Sequence, residues 1–291
     1  MNILETLQTE FSLKPWQVEN TVKLIDDGNT IPFIARYRKE ATGSLDDQLL
    51  RELFERLEYL RNLEEQKEKV RTAITEQEKM TDEIAFAIDN AKTLTEIEDI
   101  YRPYRPKRKT RASVAKEKGL EPLAQKIYLQ LDGFDPYDEA KNFITDEVET
   151  VEDAINGARD IIAEMVSDDA QGRKQLRYVC RKHGSITATS AKDDLGVYEN
   201  YRDYSEPVSK IANHRVLTIN RAEKEDFLKV SLDFDKANGV NVLKGLHVTA
   251  ANPSSDIVFE AVDDAYSRLI FPAIEREIRN ELTDRASEDS I

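Results

Sequence analysis

The chain has 291 residues, 42 of them basic and 57 acidic, for a net charge of −15. That length can bury a proper core and sets a prior of roughly two domains, while 10 Gly and 9 Pro are too few for a loop-rich all-β fold and point to helices. A single cysteine, Cys180, excludes an internal disulfide framework and fits a reducing compartment, and the acidic balance excludes diffuse nucleic-acid binding over the whole surface while leaving room for a local basic site.

In chain order, MNILETLQTEF reads as an amphipathic helix. It lacks the basic segment and continuous apolar run of a signal peptide. No stretch of about 18 apolar residues could span a membrane, so the expectation is a cytoplasmic protein. A second helix opens at Lys14-Pro15 and stops at Asp27-Gly28-Asn29. Thr30 can cap a short helix through Phe33, Ile34 and Tyr37 that ends at Thr42-Gly43. Ser44 then serves as the next N-cap, with Asp46 and Asp47 in the first turn. That next helix is the longest. Leu45, Leu49, Leu53, Leu57, Leu60, Leu63, Val70 and Ile74 recur at helical spacings to about Lys79 without Gly or Pro, giving a rod of about 50 Å. Glu64, Glu65, Lys67, Glu68 and Lys69 form its exposed, alternating face. Thr81 and Thr93 start two more helices, to Lys92 and Tyr101.

Further on, Leu120–Leu131, Pro136–Thr145, Val151–Val166 and Asp169–Lys182 read as helices, the last ended by Gly184. Residues 185–210 read as extended or loop. A short helix around 214–223 precedes an alternating run, Phe227 to Phe234, suited to a strand, with Asn241–Ala250 as its partner in a small hairpin. From Ser254 onward come one or two helices with a kink or break at Pro272. The polar, charged tail closes no core, which suggests a piece of a longer protein. The fold class is therefore mainly α: a multi-helix array with one long central helix, a helix-turn-helix-like element and a small β-hairpin. Three regions follow: 1–100 with the spanning helix, 101–184 with the basic and helix-turn-helix-like part, and 185–291 with the β-element and C-terminal helices.

The charge is unevenly placed. Tyr101–Lys118 holds eight Arg or Lys and a single acid, Glu117, so this short stretch is at +7 and the rest of the chain at −22. Pro103 and Pro106 make Tyr101–Thr110 an extended loop with cations splayed outward and Tyr101 and Tyr104 interleaved. Cations beside aromatics are the groups that contact phosphates and stack bases. The candidate nucleic-acid contacts are Arg102, Arg105, Lys107, Arg108, Lys109, Arg111 and Lys116. Ala115 and then Gly119, ahead of a second apolar-periodic segment, give the spacing of a helix-turn-helix. Arg173, Arg177 and Arg181 fall on one helical stripe and extend the candidate set. The competing reading of both features is an intramolecular one, with the cations paired to the surrounding acids.

Enzyme chemistry finds little support. The three histidines, His183, His214 and His247, are far apart, and Cys180 with His183 supplies two metal ligands where a structural zinc needs four. Cys180 reads as a small core residue. Phosphate-binding glycine loops and the nucleophile elbow are absent. The expectation is no catalysis, no metal and no cofactor.

Several long stretches carry a resemblance: IPFIARYRKEATGSLDD, LRELFERLEYLRNLEEQ, LTEIEDIYRPYRPKRKTRASVAKEKGLEPLA, GARDIIAEMVSDDA and HRVLTINRAEKEDFLKV, in that order. The chain resembles the N-terminal region of the Tex family of bacterial transcription accessory proteins over nearly its whole length. The resemblance implies a cytoplasmic nucleic-acid-binding protein whose N-terminal part is mostly helical and contains a helix-turn-helix. In the family this part is followed by an RNase-H-like domain of the YqgF type, helix-hairpin-helix units and an OB-fold RNA-binding domain. Two functions follow as expectations. In the first, the chain is a monomeric scaffold that makes weak, salt-dependent, sequence-independent contacts with RNA or DNA through the basic loop. In the second, it binds no nucleic acid, positions the downstream domains, and meets transcription or translation machinery.

Overall fold

A computed structural model describes residues 2–105 and 109–288, and the chain forms two compact units, Met1–Arg105 and Pro106–Ile291. In the first, α1 (Ile3–Phe11), α2 (Pro15–Asp26), α3 (Ile31–Tyr37) and the one-turn α4 (Lys39–Thr42) lead into α5 (Asp47–Glu76). Then come α6 (Asp82–Asn90) and α7 (Leu94–Tyr101). α5 has 30 residues, about 45 Å of rod. Its buried stripe runs Leu50, Leu53, Leu57, Leu60, Leu63, Lys67, Val70, Ile74. Three small cores sit along it: Ile34, Leu45 and Leu50; then Leu7, Val18 and Val22 against Leu57 and Leu60; then Leu63, Val70 and Ile74 against Ile88, Ala91 and Ile97.

Two expectations for the rod are corrected. Its N-cap is Asp46, whose Oδ1 accepts from the Leu49 N–H at 2.8 Å. Ser44 has φ of 63°, a left-handed backbone unlike the extended one an N-cap adopts. Lys67 is not on the exposed face. It lies on the apolar stripe between Leu63 and Val70, with its stem buried. Its ammonium donates to the Asp89 carbonyl at 3.1 Å and pairs with Glu64 at 3.0 Å.

The second unit contains α8 (Arg111–Glu117), α9 (Glu121–Tyr128), α10 (Pro136–Ala140), α11 (Val151–Asp168), α12 (Ala170–His183), β1 (Ser185–Ser190), β2 (Asp203–Pro207), α13 (Asn213–Lys224), β3 (Leu228–Asp233), α14 (Lys236–His247), α15 (Pro253–Asp264) and α16 (Phe271–Glu288). One core runs from Ala112 through Cys180 to Ala286, with residues on both sides of Gly184. α11 is the hub. It packs so close to the α8–α9 corner that a Cβ on Gly157 would overlap Leu120 and come within 3.4 Å of the Ala115 Cβ.

The sheet is antiparallel with order β2-β1-β3, pairing Ser185 with Pro207 and with Asp233. The strand expected from Phe227 to Phe234 is present, but Asn241–Ala250 is not its partner. Those residues lie largely in α14, where Gly239, Val240, Leu243 and His247 bury one helical face and Asp235 caps the start. β1, the true partner, turns only Ile186 and Ala188 into the core, too faint a pattern to outcompete a denser apolar run. At the C-terminus the chain does not break at Pro272. Ala265–Ile270 is π-helical and joins α15 to α16. A proline has no N–H to offer the preceding turn, and the wider π turn before it absorbs the mismatch without ending the helix.

A buried polar chain ties α9, α12 and α14. The Tyr128 hydroxyl lies 2.8 Å from His247 Nδ1, and His247 Nε2 lies 3.3 Å from Asp169 Oδ2. The His247 contact, followed by the Gly172 and Gln171 N–H groups, holds the Asp169 carboxyl below the usual carboxylate range against the opposing effect of burial. Gln130 donates to the His247 carbonyl at 2.8 Å and accepts from the Thr249 N–H at 3.0 Å.

The two glycines of α14 give a test of this packing with opposite signs. A Cβ on Gly239 would meet the buried Tyr266 ring, 2.7 Å from Cζ, whereas one on Gly245 meets nothing within 4 Å. Gly245→Ala is expected to stabilise by about 0.5–1 kcal/mol through backbone entropy. Gly239→Ala is expected to destabilise by about 1–3 kcal/mol from overpacking, a fall in melting temperature of roughly 2–10 °C. Thermal unfolding of the two variants against the parent reads both signs.

Candidate nucleic-acid interface

The basic stretch straddles the end of the first unit and the start of the second. Tyr101–Tyr104 is not an extended loop. α7 runs to Tyr101 and tightens into a 3-10 turn over Arg102–Tyr104, with Pro103 near its start, where a missing N–H is harmless. Arg105 turns to extended backbone. Its guanidinium lies 5.6 Å from the Tyr101 ring centre and 3.6 Å from Glu98. Arg102 is half-buried. Lys107 and Arg108 lie outside the described residues.

The second unit then opens with a capping box. The Ser113 N–H donates to Thr110 Oγ1 at 3.0 Å, and the Thr110 N–H donates to Ser113 Oγ at 2.8 Å. Thr110 Oγ1 also donates to Glu164 on α11 at 3.2 Å. This anchor fixes where α8 begins. The sequence reading passed over it, although Thr110 with Ser113 three residues later is the signal. Lys109, Arg111 and Lys116 are exposed. Lys109 sits 3.9 Å from Glu117, and Lys116 sits 3.7 Å from Glu121 and 3.8 Å from Glu164. These contacts are long, and the lysines in them are exposed, although Glu164 is itself half-buried.

Lys109, Arg111 and Lys118 line an open groove together with Glu147, Glu149, Asp153 and Asp160. Burial raises the Asp160 pKa, and the nearby Arg111 charge pulls it partly back. A phosphate inside this groove would meet carboxylates as well as the cations.

The two-helix corner expected from Ala115 and Gly119 is present. Gly119 takes φ of +79° between α8 and α9. Ala115 is buried, and its small side chain is what lets α11 approach. The outward face of α9 offers Glu121, Gln125 and Lys126, and Lys126 is paired with Glu139 at 2.5 Å. The corner works as packing, with little on α9 to reach a base edge.

The stripe Arg173, Arg177, Arg181 is corrected. Arg173 is 1% and Arg177 4% exposed. Arg173 donates to Glu277 at 3.0 Å and Arg177 to the same carboxylate at 2.8 Å. Arg181 forms a two-pronged pair with Glu281, one arm at 3.0 Å. The stripe faces α16 and holds it to α12, because helix repeats on both sides bring cations and acids into register. Cys180, in the same helix, is buried, and burial pushes its thiol up to about 12, an inert core sulfur. Among the described residues no three potential metal ligands converge, and no helix is long and apolar enough to cross a membrane. Removing the shared carboxylate by Glu277→Ala is expected to destabilise by about 1–3 kcal/mol, whereas Arg181→Ala, at an exposed pair, is expected to change stability by no more than about 1 kcal/mol. Urea unfolding separates the two.

Two family models match the chain: the Tex-like protein N-terminal domain over residues 1–75 and the Tex central region-like model over residues 132–291. The basic stretch lies between them. Among similar proteins, the uncharacterized protein YdcI of Bacillus subtilis is 44% identical across 99% of this chain and 41% of its own length. The transcriptional accessory protein Tex of Neisseria gonorrhoeae is 40% identical across 80% of this chain and 31% of its own. The S1 RNA-binding domain-containing protein 1 of Pongo abelii is 30% identical across the full chain and 31% of its own length. The chain thus spans less than half the length of these relatives. With a Tex model covering more than half its residues and a second covering its start, the chain belongs to the Tex family of transcription accessory proteins.

Proposed function

We propose that this chain is a nucleic-acid-binding scaffold of a Tex-like transcription accessory protein. It contacts RNA or DNA backbones without sequence preference through Arg102, Arg105, Lys107, Arg108, Lys109, Arg111 and Lys116. The observation that carries the reading is a contrast in pairing. The arginines that hold helices together sit 2.5–3.0 Å from their carboxylates, as Arg56, Arg61, Arg71, Arg177 and Arg181 do. Arg105, Lys109 and Lys116 of the basic stretch sit 3.6–3.9 Å from theirs, with the cation itself exposed in each case. Exposed pairs of that kind are worth about 0–1 kcal/mol and yield readily to a phosphate, with release of counterions. A relative whose name includes an S1 RNA-binding domain supports RNA as one ligand.

In this reading the module is monomeric, cytoplasmic and non-enzymatic, and it works beside downstream domains of a longer protein. The runner-up has its own observation. α5 strings three cores along one rod and presents exposed acids such as Glu65 and Glu68, as suits a spacer that positions other domains or meets transcription or translation machinery.

The test is fluorescence anisotropy of the chain with labelled single-stranded RNA and duplex DNA. If five cations each neutralise one phosphate of a single strand, log K falls with log salt at a slope of about −3.5, roughly a hundredfold loss between about 50 and 200 mM. Changing Arg105, Lys107, Arg108, Lys109 and Arg111 to Ala together is expected to remove most of that slope and affinity. A salt-insensitive affinity, or one unchanged in the variant, would favour the spacer reading.

A further inference from the structure

The α3–α4 corner of the first unit carries a second cation-and-aromatic surface, separate from the basic stretch. The four arginines of α5 all find a carboxylate: Arg51 Asp47, Arg56 Glu10, Arg61 Asp26, and Arg71 Asp89, at 2.5–2.8 Å. Arg36, Arg38 and Lys39 do not. Among the described residues no carboxylate lies within 4.0 Å of their charged nitrogens. Glu40 is the one acid beside them in sequence, and it too makes no such pair.

The backbone explains the exposure. Ile34 and Thr42 are buried and anchor the two helices from inside. Arg38, at φ −123° and ψ 26°, breaks one from the other, so residues 36–40 all lie outside. Tyr37 is 61% exposed, with its ring centre 5.3 Å from Phe33. The Arg38 guanidinium sits 5.0 Å from the same Phe33 ring centre. This makes a cluster of planar groups with one ring and two guanidiniums open to solvent.

Trp16 stands at the other end of α4, one helical turn away. It is 43% exposed, and it lies so close to Gly43 that a Cβ there would be 2.9 Å from its ring. Gln17 donates to the Thr42 carbonyl at 3.1 Å and Asn20 to the Ala41 carbonyl at 2.9 Å. Those bonds fix α2 to α4, so Trp16 and the cations share one rigid corner.

We infer that this corner binds single-stranded nucleic acid, with phosphates on Arg36, Arg38 and Lys39 and bases stacked on Tyr37 and Trp16. Unpaired cations in an acidic chain select a polyanion. Exposed flat rings select one whose bases are free to stack, since every base has a π-face and a duplex keeps its own covered. An acidic peptide would use the cations but leave the rings idle. The inference stands whether or not the basic stretch binds.

Trp16 is the only tryptophan in the chain, so its emission reports on this corner alone. The full chain is titrated with oligouridylate, with duplex DNA of equal charge, and with polyglutamate. Oligouridylate is expected to quench Trp16 and the other two to leave it nearly unchanged. Tyr37→Ala, and Arg36→Ala with Arg38→Ala, are each expected to weaken the quenching titration by about tenfold or more, while Tyr37→Phe retains it. All these side chains are exposed, and circular dichroism confirms the fold of each variant. The variant of the basic stretch is expected to leave the Trp16 titration within about twofold. Anisotropy-detected binding with a silent Trp16 and unaffected Tyr37→Ala would overturn the corner and leave the basic stretch standing. Equal quenching by polyglutamate would overturn the nucleic-acid assignment in favour of an acidic protein, and no response to any of the three polyanions would overturn the site altogether.

Discussion

Carboxylates outnumber cations by fifteen in this chain, so a guanidinium meets an acid of its own protein before it meets anything else. That constraint organises both units. In the first, the Arg56–Glu10 and Arg61–Asp26 pairs fasten α1 and α2 to the rod. In the second, Glu277 and Glu281 draw Arg173, Arg177 and Arg181 onto α16. Within such a background a cation left facing water is informative. It is a group that folding did not use, and a polyanion arriving there displaces at most a loose partner.

The rod illustrates how little propensity alone decides. α5 has few intrinsic reasons to stop within its 30 residues, but its leucine stripe is only as good as the partners that cover it. α1 to α4 cover one end and α6 and α7 the other. The second unit solves a different problem, with α11 sheathed on several sides and glycine at Gly157 where the α8–α9 corner comes closest. The π segment before Pro272 shows the same economy of adjustment: a local change of helical pitch keeps Ile270, Ile274 and Ile278 on the buried face across a residue that cannot donate its hydrogen bond.

Much of this was legible from residue order. The rod, the caps at Thr81 and Thr93, and the helices α11 and α12 are local patterns with local causes. What was not legible is what lies across from a residue. Arg173, Arg177 and Arg181 form a basic stripe in the sequence at a distance of about a hundred residues from the acids that face them. β1 carries two inward residues and was no match for the apolar run that became α14. Lys67 reads as one of many charges until its position between Leu63 and Val70 puts it on the stripe. The α3–α4 corner escaped for the complementary reason. Arg36, Tyr37, Arg38 and Lys39 look ordinary until the absence of acid partners around them, a fact about neighbours, sets them apart.

The basic stretch and the α3–α4 corner differ in chemistry. The first is cation-rich and loosely paired, with Tyr101 already engaged by Arg105. The second has fewer cations and two exposed rings, Trp16 and Tyr37. Point charges on phosphates make affinity steeply dependent on salt, and stacking on rings adds about 1–3 kcal/mol per base to that electrostatic attraction. The cations of both sites would therefore contribute to the salt slope, while Tyr37 and Trp16 add stacking at the second alone.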